Sequence, residues 1–255
     1  MLAAVLFGLA IGLAVGTLGG GGSVLAVPVL VYVLDQSVAE ATTTSLAVVA
    51  GGAIAGAAGH ATAGRVCWRH ALSFSAAALP GIVAGTVLGE SIGRSVTLLV
   101  FAVVMLAAAR AIWSKGDEAE EERGWEPGAA ACPPLRLPQD LVAGFAVGLL
   151  TGLLGVGGGF LIVPTLAVAL AFTMRTAVGT SLAIITATSL LGLVTHLAAG
   201  RSLDAEITTA MTAGCVVGSL AGAAVASRMP QPALARAFAV LVTGVALTLV
   251  VSVAL

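Results

Sequence analysis

The sequence predicts an all-α protein, a polytopic bundle of transmembrane helices made of two internal repeats of about four helices each. Its composition supports a membrane setting, because 59% of the 255 residues are hydrophobic and 9% are charged. Soluble domains carry about 25% charged residues. The apolar residues form runs of about 20, the length of a membrane-crossing helix, rather than the alternating ten-residue segments of a β-barrel. The lipid bilayer is therefore an expected partner.

A charged, proline-containing stretch divides the chain. Residues 114–139 hold half of the acidic side chains and four prolines, without hydrophobic periodicity, which is typical of a solvated linker. The predicted domains are a first transmembrane repeat, 1–113, this linker, and a second transmembrane repeat, 140–255. The acidic run could instead be a partner site, but blocks of like charge are usually solvated.

The two halves are copies of one another. A shift of 136 residues aligns Gly8–Arg65 with Gly144–Arg201 without a gap, and about 24 of roughly 58 aligned positions are identical. A shift of 133 then aligns two glycine ladders, which predict close helix packing: Gly81, Gly85, Gly89 and Gly93 in the first half, and Gly214, Gly218 and Gly222 in the second. Internal repeats are common in secondary transporters.

Each half contains four apolar segments. They cover about 2–34, 41–64, 71–93 and 95–113, and then 140–171, 177–200, 205–227 and 232–254. The first segment of each half is too long for one straight crossing, since about 32 helical residues span about 48 Å and the hydrocarbon core is about 30 Å thick. Each is also interrupted by glycines, so we expect the first helix of each repeat to be broken.

The positive charges give an expectation for topology. With four crossings per half, Arg65, Arg69, Arg110, Lys115, Arg123, Arg136 and Arg201 lie on one side, and Arg94, Arg175, Arg228 and Arg236 on the other. The positive-inside rule then favours eight crossings in the inner membrane, with both termini and the linker in the cytoplasm. If the broken segment is a re-entrant hairpin, the repeats become inverted instead.

The candidate substrate site lies at the glycine runs. These are Gly19, Gly20, Gly21, Gly22 and Ser23 in the first half, and Gly155, Gly157, Gly158 and Gly159 in the second. Each glycine costs about 1 kcal/mol in a helix interior, and unwound backbone at membrane depth lines a cavity or is buried in protein. Two half-helix starts that converge there could bind an anion through free N–H groups. The alternative is tight helix crossing through small residues.

Polar residues that recur in both halves extend this site. Thr44, Ser45, Thr180 and Ser181 begin the second helix of each half, where a hydroxyl could cap the helix or donate to a substrate oxygen. His60 and His196 could couple transport to protons, or simply bond a backbone carbonyl. Arg65 and Arg201 follow the ends of apolar segments, where long basic side chains reach the membrane interface. They could also attract anions to the inner mouth of the bundle.

Several function classes have no support in the sequence. No HExxH, GxSxG or paired intramembrane carboxylates occur, so we predict no catalytic residue and no enzyme. Cys67, Cys132 and Cys215 lack CxxC or metal-ligand spacing, and we expect incidental thiols, no metal and no cofactor. A net charge of -1 gives no indication of nucleic-acid binding.

The chain resembles the sulfite exporter TauE/SafE family, also called the 4-toluene sulfonate uptake permease family. The resemblance lies in Gly16-Thr17-Leu18 with the glycines up to Ser23, Val27-Pro28 and Ala41–Ser45, and in the second copy, Gly152–Gly159, Val163-Pro164 and Ala177–Ser181. It implies an inner-membrane permease for sulfur-containing or organic anions such as sulfite or sulfonates. An anion channel and a non-transporting membrane scaffold remain the alternatives.

Overall fold

The computed structural model describes residues 1–89, 103–113, 132–154 and 159–254, and these residues form helices without any strand. The predicted all-helical class is confirmed. The helices are α1 (Leu2–Leu18), α2 (Ser23–Tyr32), α3 (Val38–Thr62), α4 (Trp68–Gly89), α5 (Val103–Trp113), α6 (Leu137–Leu154), α7 (Gly159–Pro164, continued by a π-helical turn, Thr165–Ala169), α8 (Met174–Ala198), α9 (Ala205–Arg228) and α10 (Gln231–Ala254).

Four of these helices are long and apolar enough to cross a membrane. They are the segments Ala39–Thr62 of α3, Trp68–Gly89 of α4, Met174–Ala198 of α8 and Ala205–Arg228 of α9. Helices α1, α5, α6 and α7 are apolar but shorter. The protein is therefore polytopic, and the predicted count of eight full crossings stays a prediction.

The glycine run of the first half turns the chain back on itself. Helix α1 ends at Leu18, because Gly19 adopts the left-handed conformation at φ 67°, and α2 begins at Ser23. A methyl group at Gly22 would lie 2.8 Å from the carbonyl oxygen of Ile11 and 3.0 Å from the nitrogen of Val15. The start of α2 thus packs against the second half of α1, and the two helices form a hairpin with its tip at the glycines.

The second half has a similar order of elements. Helix α6 ends at Leu154, and α7 with its π-turn runs from Gly159 to Ala169 before α8 begins at Met174. Gly155, Gly157 and Gly158, three of the predicted site residues, lie outside the described residues. Residue Ala171, in the short connection to α8, has a positive φ of 56°, as does Asp35, which precedes α3 at the matching place in the first half.

Glycine ladders join the two halves in two tightly packed parallel pairs, α1 with α9 and α4 with α6. Gly8 lies against the backbone of Met211. Eight residues later Gly16 lies against Ser219, so α1 and α9 run in the same direction. Gly81 of α4 likewise lies against Phe145 of α6. The ladder glycines whose surroundings are described all face the backbone of the partner helix, as predicted; Gly93 lies outside the described residues.

The central helices α3 and α8 pack in opposite directions. Gly179, near the start of α8, touches the backbone at Arg65, just beyond the end of α3, whereas Gly192 near the end of α8 touches Leu46 near the start of α3. We call the end of the bundle where α3 and α9 finish and α8 begins the Arg65 end. The opposite end, where α8 finishes and Arg201 follows it, is the Arg201 end.

The expectation that both termini and the linker share one side stays a prediction, and the packing directions bear on it. Helices α1, α3 and α9 run in the same direction, since Gly51 and Gly59 of α3 face Thr212 and Ala223 of α9. The N-terminus therefore lies at the Arg201 end. The last linker residues lie at the Arg65 end, because Cys132 is bonded to Cys67. The expectation counted each broken segment as one crossing, whereas α2 starts by doubling back along α1.

The disulfide corrects the expectation that the cysteines are incidental thiols. Cys67 and Cys132 form a disulfide across 65 residues of sequence, while Cys215 is free and buried. Residue spacing could not reveal the bond, because it depends on the linker returning to the start of α4. A cross-link between such distant residues removes conformational freedom from the unfolded chain.

Candidate functional site

The tips of the two glycine-rich segments meet in the protein interior. A methyl group at Gly20 would lie 2.8 Å from the carbonyl oxygen of Gly159, and one at Gly159 would lie 3.2 Å from Oγ of Ser23. Gly20 also has a φ of 111°, which side chains rarely adopt. A residue larger than glycine at position 20 would therefore push the two segments apart, whereas a side chain at position 159 would meet only side-chain atoms of Ile185 and Ser23.

Ser181 of α8 closes the tip from one side. Its hydroxyl oxygen lies 2.8 Å from the carbonyl oxygens of Gly19 and Val178, and its single proton can be donated to one of them at a time. A methyl group at Gly19 would lie 2.6 Å from the same hydroxyl. The structure thus brings one predicted hydroxyl to the predicted glycine run, across 162 residues of sequence.

The other predicted hydroxyls make bonds elsewhere. Thr180 accepts a bond of 3.1 Å from the backbone N–H of Cys67, and Thr44 accepts one of 3.4 Å from the hydroxyl of Thr208. Ser45 donates to the carbonyl of Thr42, three residues earlier in its own helix. Ser23 donates to the carbonyl of Gly20 at 2.7 Å. These contacts stabilise helix starts and connections, so Ser181 and Ser23 are the hydroxyls that touch the tips.

The histidine and arginine of each half belong to a helix ending. Gly64 and Gly200 have φ angles of 68° and 74°, and the N–H groups of Arg65 and Arg201 donate to the carbonyls of His60 and His196. This is the Schellman arrangement, which satisfies the last carbonyls of a helix and requires a residue, usually glycine, that tolerates positive φ. The recurring glycine and arginine are thus explained in part by local structure.

The two histidines have different surroundings. His60 is 1% exposed, and its Nε2 lies 3.1 Å from the carbonyl oxygen of Gly16. Because a carbonyl only accepts, Nε2 carries the hydrogen. His196 is half-buried and its Nδ1 lies 3.2 Å from the hydroxyl of Thr43. His60 thereby ties the end of α3 to α1, three residues before the glycine run begins.

The meeting point of the tips is closed to solvent in this conformation. Gly19 to Ser23 and Gly159 are all buried. In the first turn of α2, the N–H groups of Ser23 and Leu25 donate to the carbonyls of Gly20 and Gly22, so they are not free. A cavity of about 20 Å³, room for about one water molecule, lies instead between α4, α6, α7 and α8, lined by Phe74, Ile82, Val147, Thr151, Ile162 and Thr188 among others.

Sequence reasoning missed a buried polar cluster at the Arg65 end. His70 Nδ1 lies 2.7 Å from Oδ2 of Asp140, and its Nε2 lies 3.0 Å from the carbonyl oxygen of Pro133. Ser73 donates to the same carboxylate oxygen at 3.0 Å. Both ring nitrogens therefore have an acceptor oxygen within 3.0 Å. Asp140 is fully buried, and the cluster fixes the end of the linker to α4 and α6.

Comparison with known proteins decides the family. A model of the family described as sulfite exporter TauE/SafE matches residues 4–249. The chain belongs to the sulfite exporter TauE/SafE family. A probable membrane transporter protein of Xylella fastidiosa strain 9a5c is 32% identical over 242 residues, which cover 93% of this chain and 90% of that protein. One from Methanocaldococcus jannaschii is 28% identical over 199 residues, 74% and 71% of the two chains.

The TauE/SafE match agrees with the helical bundle, and together they identify a membrane transporter of this family. The family resemblance predicted from the glycine runs and their second copy is therefore confirmed. No solved structure matches the chain.

Proposed function

We propose that this chain is a secondary transporter of small sulfur-containing or organic anions, such as sulfite or sulfonates, and not an enzyme. The anion would bind where the tips of the α1–α2 and α6–α7 segments meet, beside Ser181 and Ser23. The observation that carries the proposal is the contact of Gly20 with Gly159, because it joins two interrupted, buried helices that come from different halves of the chain. Unwound backbone at such depth is typical of transporter binding sites.

The packing directions support an inverted repeat. Helices α3 and α8 carry the equivalent pairs Thr44-Ser45 and Thr180-Ser181 and run in opposite directions. Repeats 1–113 and 140–255 would then be related by an axis in the membrane plane, passing close to Ser23 and Gly159. Alternating access would follow from movement of one tightly packed pair, α1–α9, against the other, α4–α6, since the closed tips must open for an anion to enter.

We propose that the Arg65 end faces the cytoplasm. Of the described arginines other than Arg110, Arg201 lies at the opposite end and six lie towards the Arg65 end, as the positive-inside rule requires: Arg65, Arg69, Arg136, Arg175, Arg228 and Arg236. The Cys67–Cys132 disulfide favours an oxidising compartment instead. Labelling of cells with a membrane-impermeant maleimide after mild reduction distinguishes the two. We expect Cys67 to react only after the cells are opened, and reaction in intact cells would reverse the orientation.

Membrane potential favours export of such anions. Moving one negative charge outwards across an inside-negative potential of 100 mV gains about 2.3 kcal/mol, equivalent to a gradient of about fiftyfold. Export of an anion therefore needs no coupling ion, whereas import does. Among the described residues, no group of three or more histidine, cysteine or acidic side chains could hold a metal ion.

Flux into liposomes tests the proposal. The wild-type protein should take up sulfite with saturation and show counterflow, whereas an anion channel would show neither and a scaffold would show no flux. Gly20→Leu should abolish flux, because a side chain there meets Gly159 at φ 111°. The matched control is Gly244→Leu in α10, where a side chain meets no atom within 4 Å. Unchanged sulfite flux in Gly20→Leu would contradict the proposed site.

A further inference from the structure

From the structure we infer a second anion site, at the entrance of the Arg65 end, formed by the guanidinium groups of Arg65 and Arg175. The inference rests on the proposed function and names residues that capture the anion before it reaches the tips. Its ligand is a small oxyanion that carries two or more oxygen atoms, which the planar fork of arginine binds through paired hydrogen bonds.

The backbone brings the two arginines to the same region of the Arg65 end. Arg65 follows α3, and its carbonyl oxygen lies 2.5 Å from the position of a methyl group on Gly179 of α8. Arg175 precedes Gly179 by four residues and so lies on the same face of α8. The pKa of Arg65 is lowered by burial and then by the positive charge of Arg175, as expected for two neighbouring cations.

Neither arginine has a carboxylate partner among the described residues. The one ion pair found there joins His70 and Asp140. Arg175 donates from Nη2 to the carbonyl of Met229 at 2.5 Å, but its Nε is buried and unbonded, and so is Nη1 of Arg65. Buried donors that lack acceptors are costly. An oxyanion would satisfy these nitrogens and separate the two positive charges.

The pair lies on the route to the proposed central site. From Arg175 to Ser181 is six residues along α8, about 9 Å of helix. Ser181 contacts Gly19 at the tip of the first hairpin. The start of α8 also contributes the positive end of its helix dipole. An anion bound by the arginines is thus about one and a half helical turns from the tips.

Among the residues that the structure describes, the Arg201 end has no equivalent pair of arginines. Arg201 is the repeat counterpart of Arg65 and is exposed, while the position that matches Arg175 is Ala39. Asp35, Glu40, Asp204 and Glu206 lie near that end. A positive entrance at one end and an acidic surface at the other would favour capture of the anion at the Arg65 end and its release at the Arg201 end.

The test measures sulfite binding and flux in parallel. Millimolar sulfite should raise the Tm of the purified wild-type protein, and Arg65→Gln and Arg175→Gln should each remove most of this shift. In liposomes of a neutral phospholipid, both variants should raise KM for sulfite about tenfold with little change in maximal rate. Arg201→Gln is the matched control and should leave both quantities unchanged. Arg65→Lys and Arg175→Lys keep the charge without the fork and should raise KM about threefold.

Four results would overturn the inference of an arginine anion site. Unchanged KM and Tm shift in the glutamine variants overturn the inference, while sulfite flux that Gly20→Leu abolishes keeps the proposed function. Loss of affinity confined to liposomes with phosphatidylglycerol assigns the arginines to a lipid headgroup and overturns it too. If the Tm shift appears only after Glu120, Glu121 and Glu122 of the linker are changed to glutamine, the arginines pair with the linker instead. Equal effects of the Arg201 control would also overturn it.

Discussion

The Arg65 end and the Arg201 end of the bundle begin from the same sequence and differ in what surrounds it. Both have a histidine, a glycine of positive φ and an arginine in that order, with the same backbone hydrogen bond. At the Arg65 end the histidine is buried and a disulfide and a buried ion pair follow. At the Arg201 end the histidine is half-buried and the nearby acidic residues are solvent-facing. The recurring sequence determines the local helix cap, and the neighbouring elements determine how far the histidine and the charged residues are buried.

This difference shows that two aligned segments can share a backbone conformation and differ in chemistry. His70, in the first turn of α4, faces Asp140, whereas Glu206, in the first turn of α9, is exposed. Phe172 stacks edge-on against His70 with a centroid separation of 4.9 Å, and its counterpart in the first half is Gln36. Such differences between the two halves show that the Arg65 end is the one that fastens the linker.

The largest expected effect on stability comes from disrupting the buried His70–Asp140 pair at the Arg65 end. Asp140→Ala should lower the free energy of unfolding by about 3 kcal/mol, because it leaves the buried ring of His70 without its carboxylate partner. The measurement is the unfolding transition in detergent. His70→Phe with Asp140→Leu is the control, since removal of both polar partners should cost much less. If Asp140→Ala lowered the free energy of unfolding by less than about 1 kcal/mol, the Arg65 end would be no more strongly stabilised than the Arg201 end.

A smaller effect is expected at the opposite end. Thr43→Val removes the hydrogen bond to His196, a side chain that is partly solvent-accessible. The change should lower the free energy of unfolding by no more than about 1 kcal/mol. The same detergent unfolding assay measures it. Thr43→Ser keeps the hydroxyl and should behave as wild type. If Thr43→Val destabilised the protein as strongly as Asp140→Ala, the contrast drawn between the ends would be mistaken.

Much of the fold was predictable because it depends on local composition and period. The long apolar runs predicted membrane-spanning helices, and the ladders of Gly81 and Gly214 predicted close helix contact, since glycine every four residues leaves a flat face wherever the partner lies. The left-handed turn at Gly19 also lies within the predicted glycine run. Each of these features can be predicted from a single segment of the sequence.

The remaining features depend on which distant segments meet. Sequence placed Thr180 in the site with Ser181, yet the structure bonds Thr180 to the backbone of Cys67 and turns Ser181 towards Gly19. Adjacent residues on a helix point about 100° apart, so one can face the tip while the other faces a connection. The Cys67–Cys132 bond and the Arg65–Arg175 pair likewise follow from tertiary packing that spacing along the chain does not encode.

The central claim is that the two interrupted segments meet where the anion binds. Replacement of Ser23 and Gly159 by cysteine in one chain tests it most directly, because Oγ of Ser23 lies 3.2 Å from a methyl position on Gly159. Mild oxidation should join this pair and stop sulfite flux, and reduction should restore it. A Gly159→Cys, Gly244→Cys pair should not join. Absence of the cross-link, or a cross-linked protein that still transports sulfite, would contradict the account.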